Sequence, residues 1–321
     1  MRSDGRDAKG RQSCRALAIA GLLLVPAATH AAAPVVAVIK SGAPAPFERA
    51  TKAITAALRQ SPTQPEVLTF DLEGDEAKGS AVLDRVRRAG ADVIVTVGSL
   101  ATASALAATT KEPIVFSMVL YPEQSGFLRN GRDRVTGASL DIPTDVQFDY
   151  LRRLLPAAKR VGVLFHPDET GAVVEAARGP AAKHGLTLVP KTVGDRDDVV
   201  AALRTLMDDV DVVWAVADGH VFTPQATSAL ILASLRRRVP LIGLSAAHVR
   251  AGALAALSCD YEDVGEQTAA LALRVLQGAA PSSLPITTPR RVGLALNLRT
   301  AEHLGLTLPP EVAAEAAETV R

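Results

Sequence analysis

From Val35 onward, short runs of β-branched and apolar residues alternate with longer segments whose apolar positions recur every three to four residues. A rhythm that switches between a period of two and a period near 3.6 predicts strands alternating with helices. Strands are expected at 35–39, 66–70, 91–97, 114–119, 135–140, 161–165, 186–193, 210–217 and 241–244. Helical periods fill most of the gaps, beginning with 47–59, and a further helix is expected over 261–277. Runs such as VIVTV and VVWAV carry no polar alternation. Such strands are buried on both faces, which calls for a mostly parallel sheet with helices on either side. The rhythm breaks at 121–134, a polar loop containing glycine, and resumes with a strand that ends at Asp141, Ile142 and Pro143. The fold class expected is α/β, with two doubly wound parallel-sheet lobes and the second beginning near 142.

The first thirty residues follow another pattern. Arg2, Arg6, Lys9, Arg11 and Arg15 precede an apolar run from Ala16 to Val25, too short to span a bilayer, and small residues follow Pro26. This reads as a secretory signal over 1–31, cleaved between Ala31 and Ala32 or after Ala33, so export to the periplasm and no stable membrane anchor are expected. Processing removes Cys14 and leaves Cys259 as the one cysteine, a structural rather than reactive residue, with stability resting on core packing instead of a disulfide.

Composition narrows the chemistry. The 321 residues are 48% hydrophobic and 21% charged, with a net charge of +1. No basic run exceeds Arg236–Arg238, so nucleic acid is not expected as a partner. There is no phosphate loop and no dinucleotide fingerprint after a strand, and the histidines form no close helical pair. Neither cofactor nor metal is expected. Gly243, Leu244, Ser245 and Ala246 resemble a hydrolase nucleophile elbow, but Ala247 replaces the usual final glycine and no triad order is recognisable around His248 or His303.

In doubly wound sheets, ligands bind beyond the carboxyl ends of the strands. Those exits carry Ser41, Ser99, Ser117, Met118, Tyr121, His166, Asp218 and Ser245. A serine before a helix is an N-cap in its simplest reading. Three at equivalent exits of one lobe could also hold a ligand carboxylate beside helix N–H donors. Asp218 either pairs with a ligand ammonium or caps the turn before Phe222 and Pro224. Tyr121 either stacks on the ligand or covers its loop, His166 reads as a surface or capping residue, and Trp214 reads as core.

The segments PIVFSMVLYP, VTG at 135–137, LRRLLPAAKRVGVLFHP, VPLIGLS, GALAALSCDYEDVGEQTAALALRVLQG and LALNLRTAEHLGL resemble the ABC-transporter substrate-binding proteins of the type I periplasmic-binding fold. The resemblance implies a three-strand hinge, with lobe one formed by 35–141 plus 259–281 and lobe two by 142–258 plus 282–321. It implies a monomer that closes over a small molecule and delivers it to an ABC permease and its ATPase. Some relatives bind aromatic amino acids. The cleft positions it implies are Ser41, Ser99, 117–120 and Asp218, and it places the 261–277 helix back in lobe one, where Tyr261 could reach the cleft. This chain has Tyr121 where relatives often carry aspartate, and His166 where they carry asparagine. The function expected is therefore binding of an amino acid or related carboxylate, without catalysis. A sensor for a membrane receptor, sharing the same fold, is the alternative.

Overall fold

The computed structural model describes residues 33–109, 111–129 and 133–321. The expected signal segment, with Cys14, lies outside them. The first sheet is built from β1 (Val35–Lys40), β2 (Glu66–Asp71), β3 (Val93–Val97), β4 (Ile114–Val119) and β5 (Val135–Ser139), in the order β2-β1-β3-β4-β5. Every pairing is parallel. Both β3 and β4 are buried at every position, as their unbroken apolar runs require.

Helix α1 (Ala45–Gln60) buries Ala50, Ile54 and Leu58, a stripe repeating every fourth residue, against one face of this sheet. The opposite face is covered by α2 (Lys78–Arg88) and α3 (Ser99–Ala108), whose Val82, Leu83, Val86, Ala101 and Ala105 close a second apolar layer.

The second sheet comprises β6 (Arg160–Phe165), β7 (Thr187–Thr192), β8 (Val212–Trp214), β9 (Leu241–Gly243), β10 (Ala255–Cys259), β11 (Val292–Asn297) and β12 (Ala316–Val320), in the order β12-β11-β10-β9-β8-β6-β7. It is parallel apart from the β10–β11 pair. Around it lie α4 (Thr144–Leu154), α5 (Pro167–Lys183), α6 (Val199–Leu206), α7 (Pro224–Arg237), α8 (Ala246–Ala251), α10 (Leu298–Leu304) and α11 (Pro310–Ala314), packed as two apolar layers.

Helix α9 (Tyr261–Leu276) follows a strand of the second sheet but packs on the first lobe, against α1. Gly265 makes that approach possible. A Cβ there would lie 2.5 Å from the Ala50 carbonyl oxygen and 2.9 Å from the Ala53 Cβ. The chain therefore passes between the lobes at 140–143, at Asp260 and at 288–291.

Two of these crossings fall later than the sequence places them. Cys259 belongs to β10, opposite Val292, and thus to the second sheet. Residues 284–287 stay with the first lobe: Thr287 bridges Ala138, its carbonyl accepts from the Ser139 N–H at 2.8 Å, and its own N–H donates to Gly137 at 3.0 Å. The last crossing is fastened to α9 by Arg290, whose guanidinium pairs with the buried Asp263 carboxylate at 2.5 Å. Burial alone would raise the Asp263 pKa. The hydrogen bonds and charge of Arg290 outweigh it and hold the group below its ordinary value.

Candidate functional site

A cavity of about 540 Å³ opens where the two lobes meet, within the range of small-molecule sites. Its walls come from the loop after β4 (Tyr121, Glu123, Gln124), the end of β5 and first crossing (Ser139, Asp141, Ile142), the start of α4 (Thr144, Gln147), the exits of β8 and β9 (Ala217, Leu244), Ile286 of the first lobe and Thr288 at the start of the last crossing. Trp214, Tyr150, Leu154 and Leu257 extend an apolar wall into the second lobe.

Strained backbone shapes the first of these walls. Met118 and Tyr121 have φ of 59° and 50°, and the β4–β5 pairing slips at Met118. The slip is a bulge: Met118 leaves the ladder and buries its side chain in the first lobe's core, while the chain turns so that Leu120 stands 40% exposed at the cavity. The Tyr121 N–H then reaches both carboxylate oxygens of Asp141 at 3.0 Å, and Asp141 also accepts from the Ser139 hydroxyl at 2.7 Å. Burial raises the Asp141 pKa despite these donors.

The Tyr121 hydroxyl accepts from the Ala217 N–H at 3.3 Å, joining the first lobe's loop to the second lobe's sheet across the cavity. Burial pushes the Tyr121 hydroxyl up to about 12, so it keeps its proton at neutral pH. Behind it the Trp214 indole donates to Gln147 at 2.8 Å and Gln147 donates to the Ile142 carbonyl at 2.7 Å, a chain that holds the first crossing against β8. Trp214 is both core and wall: it is 3% exposed, and its ring meets Phe148 at 5.0 Å.

Of the residues singled out from the sequence, Leu120, Tyr121 and Trp214 line this cavity, whereas Ser41, Ser99, Ser117, Met118, His166, Asp218 and Ser245 are not part of its wall. Ser41 sits at the switch point between β1 and β3, where its hydroxyl accepts from the Ala101 N–H at 2.9 Å in the first turn of α3. It borders a separate pocket of about 410 Å³ with Gly42, Phe47, Asp71 and Glu73. Ser99 is the exposed first residue of α3. The expectation that Ser117 and Met118 face the cleft gives way. Ser117 is fully buried and accepts from the Thr268 hydroxyl at 2.8 Å, tying β4 to α9, and the bulge turns Met118 inward.

Asp218 occupies the equivalent switch point of the second sheet, between β6 and β8, and is 1% exposed. One carboxylate oxygen accepts from the His166 N–H at 2.7 Å and the Thr170 hydroxyl at 2.6 Å, the other from the N–H groups of His220 at 2.9 Å and Val221 at 3.1 Å. A carboxylate offers about four lone-pair positions, and here each meets a donor from the protein. The structure thus favours the turn and capping role over the ammonium partner.

Around it His166 stacks on His220 at 4.1 Å, and Glu169 binds the His220 ring at 2.6 Å and the Gly219 N–H at 2.6 Å. Glu169, Asp218 and His220 offer donor atoms within 4.8 Å of one another, the spacing of a metal site. Those same atoms are engaged in fastening the turn after β8 to α5.

Ser245 is the N-cap of α8, and the Nδ1 of His248 accepts from the Leu244 N–H at 3.3 Å. Tyr261 begins α9 with Arg49 over its ring at 5.4 Å, outside the cavity wall. Burial pushes the Cys259 thiol up to about 11, which keeps it protonated and unreactive. Asp141, Gln147 and Ser139 are the wall residues that reading strand exits passed over, although Asp141 ends a predicted strand directly before the first crossing. Among the described residues no helix is long and apolar enough to cross a membrane.

Two sandwiched, mostly parallel sheets, three crossings and a cavity walled by both lobes make up the two-lobed architecture of a periplasmic-binding protein. The family model described as ABC transporter substrate binding protein matches residues 70–320, and this chain belongs to that family. A tyrosine-binding protein of Clostridioides difficile is 24% identical over 220 residues, 67% of this chain and 63% of the relative, so the chain spans under two thirds of that relative's length. The fold is shared with a ligand-free, open substrate-binding protein from Clostridium difficile, at TM-score 0.74 and 20% identity over 90% of this chain and 99% of that one. It is shared also with a domain from Streptococcus pneumonia in complex with L-Trp, at TM-score 0.66 and 22% identity over 89% and 99%.

Proposed function

We propose that this chain is the exported solute-binding component of an ABC importer, which takes an amino acid or a related small carboxylate into the gap between its lobes and passes it to a permease. The observation that carries this reading is the junction cavity, walled from both lobes and crossed by the Tyr121–Ala217 hydrogen bond. A solute there touches both lobes only when they are together, so binding favours the closed arrangement by its difference in affinity for the two states. The tyrosine-binding relative and the L-Trp complex support the amino-acid assignment.

The experiment is a thermal-shift screen of the purified protein against amino acids, peptides, sugars and carboxylates. A solute held by the native state alone adds about 2.7 kcal/mol at one hundred times its Kd. One chemical class is expected to raise the melting temperature saturably. Labelling of Ser245 by a serine-directed phosphonate, with ester turnover and no stabilisation by any solute, would reject the reading.

A further inference from the structure

The junction cavity has an asymmetry of charge that bears on what it accepts. Its wall carries two carboxylates, Asp141 and Glu123, and none of its residues is Lys, Arg or His. Glu123 is exposed at the mouth, whereas Asp141 is half-buried within the wall. Among the described residues Asp141 has no cationic side chain in ion-pair range. Its contacts are the Tyr121 N–H, shared between its two oxygens, and the Ser139 hydroxyl. Two donors leave part of a carboxylate's capacity open, since about four lone-pair positions are available. A buried charge without a counter-charge is costly in an empty site and becomes favourable when a cation arrives. The same wall carries large apolar side chains, among them Trp214, Tyr150 and Leu257.

We infer that Asp141 is the specificity-determining residue of this cavity, and that the solute class is an amine with an apolar body, its ammonium on Asp141 and its body against Trp214. The inference rests on the solute-binding reading above and narrows it: the ammonium, and not a carboxylate, is the group the cavity selects. The raised pKa of Asp141, caused by burial, agrees with a carboxylate waiting for a cation. The two oxygens are held in orientation by the Tyr121 N–H, so the acceptor is fixed in place before the solute enters.

The test uses the full protein and matched solutes that differ in one charged group. L-Tyrosine is compared with tyramine, which lacks the carboxylate, and with 3-(4-hydroxyphenyl)propionate, which lacks the ammonium. L-Leucine, isopentylamine and 4-methylvalerate form an aliphatic set. In calorimetric titration, loss of the ammonium is expected to weaken binding about 30-fold or more, and loss of the carboxylate by much less. Asp141→Asn is expected to weaken the amine-bearing solutes by a similar factor and leave the propionate unchanged. The solute series on the unaltered protein stands by itself should the variant fold poorly. Binding of the amine-free acids as tightly as their amine partners would overturn the inference while leaving a solute-binding protein intact. Failure of every solute in the wider screen to bind would overturn both.

Discussion

Replacing Asp218 with alanine distinguishes a strut from a ligand contact. The carboxylate is 1% exposed and receives four donors, from His166, Thr170, His220 and Val221. Truncation leaves the N–H of His166, which opens α5, and the N–H of buried Val221 without acceptors, while the half-exposed His220 N–H recovers water and the Thr170 hydroxyl can rotate. An unsatisfied buried donor costs about 1–3 kcal/mol, and the lost bonds are charge-assisted, so Asp218→Ala is expected to reduce unfolding free energy by about 3–5 kcal/mol. In urea titration the midpoint falls while the slope holds. For a chain of this size the melting temperature drops by roughly 5–8 °C. The same variant, measured well below its melting point, is expected to bind solute with affinity within about threefold of the parent, because the cavity wall does not include residue 218. An unchanged urea midpoint together with an affinity loss of about 30-fold or more would refute the reasoning and restore the aspartate as an ammonium partner.

Gly98→Ala is expected to destabilise the first lobe by about 2–4 kcal/mol in the same assay, since φ is +90° and the new Cβ would lie 2.6 Å from the Ser41 hydroxyl and 2.7 Å from the Phe47 ring. Asp263 holds its proton less tightly when folded than when unfolded, so its contribution to stability is complete above the unfolded value of about 3.9 and is lost as pH falls through the lower folded value. Urea midpoints measured across that acid limb are expected to flatten in Asp263→Asn, and a limb identical to the parent's would contradict the pairing with Arg290. Cys259, with its thiol pushed up to about 11, is expected to react with iodoacetamide near pH 8 on the order of 100-fold more slowly than free cysteine and to recover the free rate in denaturant; equal rates in the native protein would deny its burial.

The strands legible from sequence are those whose burial on both faces removes polar alternation, such as VIVTV in β3 and IVFSMV in β4. Strands β10, β11 and β12 were not foreseen. AALSC, VGLALN and AAETV hold small and helix-favouring residues, and they are extended because they pair with one another and, through β10, with β9. A one-residue bulge is invisible to periodicity, so counting from the end of β4 put Ser117 and Met118 at the cleft when both are inside the lobe. Asp141 and Asp218 pose the same difficulty from the other side. Both stand just beyond strands at lobe edges, and nothing local says that one meets four protein donors while the other is left facing a cavity. That difference is set by where α5 and the loop after β4 arrive, from residues 48 and 20 positions away.

Trp214 is the single tryptophan of the chain and stands where the cavity wall meets the second lobe's core, so its emission reports on that one place in the fold. The decisive measurement is a fluorescence titration with a non-indole solute that raises the melting temperature, run in parallel on Ala217→Phe, which fills the cavity beside Tyr121. A saturable change at one solute per chain, abolished by the phenylalanine in a variant that still melts like the parent, is the expected result. A solute that stabilises the protein yet leaves Trp214 emission unmoved, and binds Ala217→Phe as well as the parent, would place binding away from the junction of the lobes.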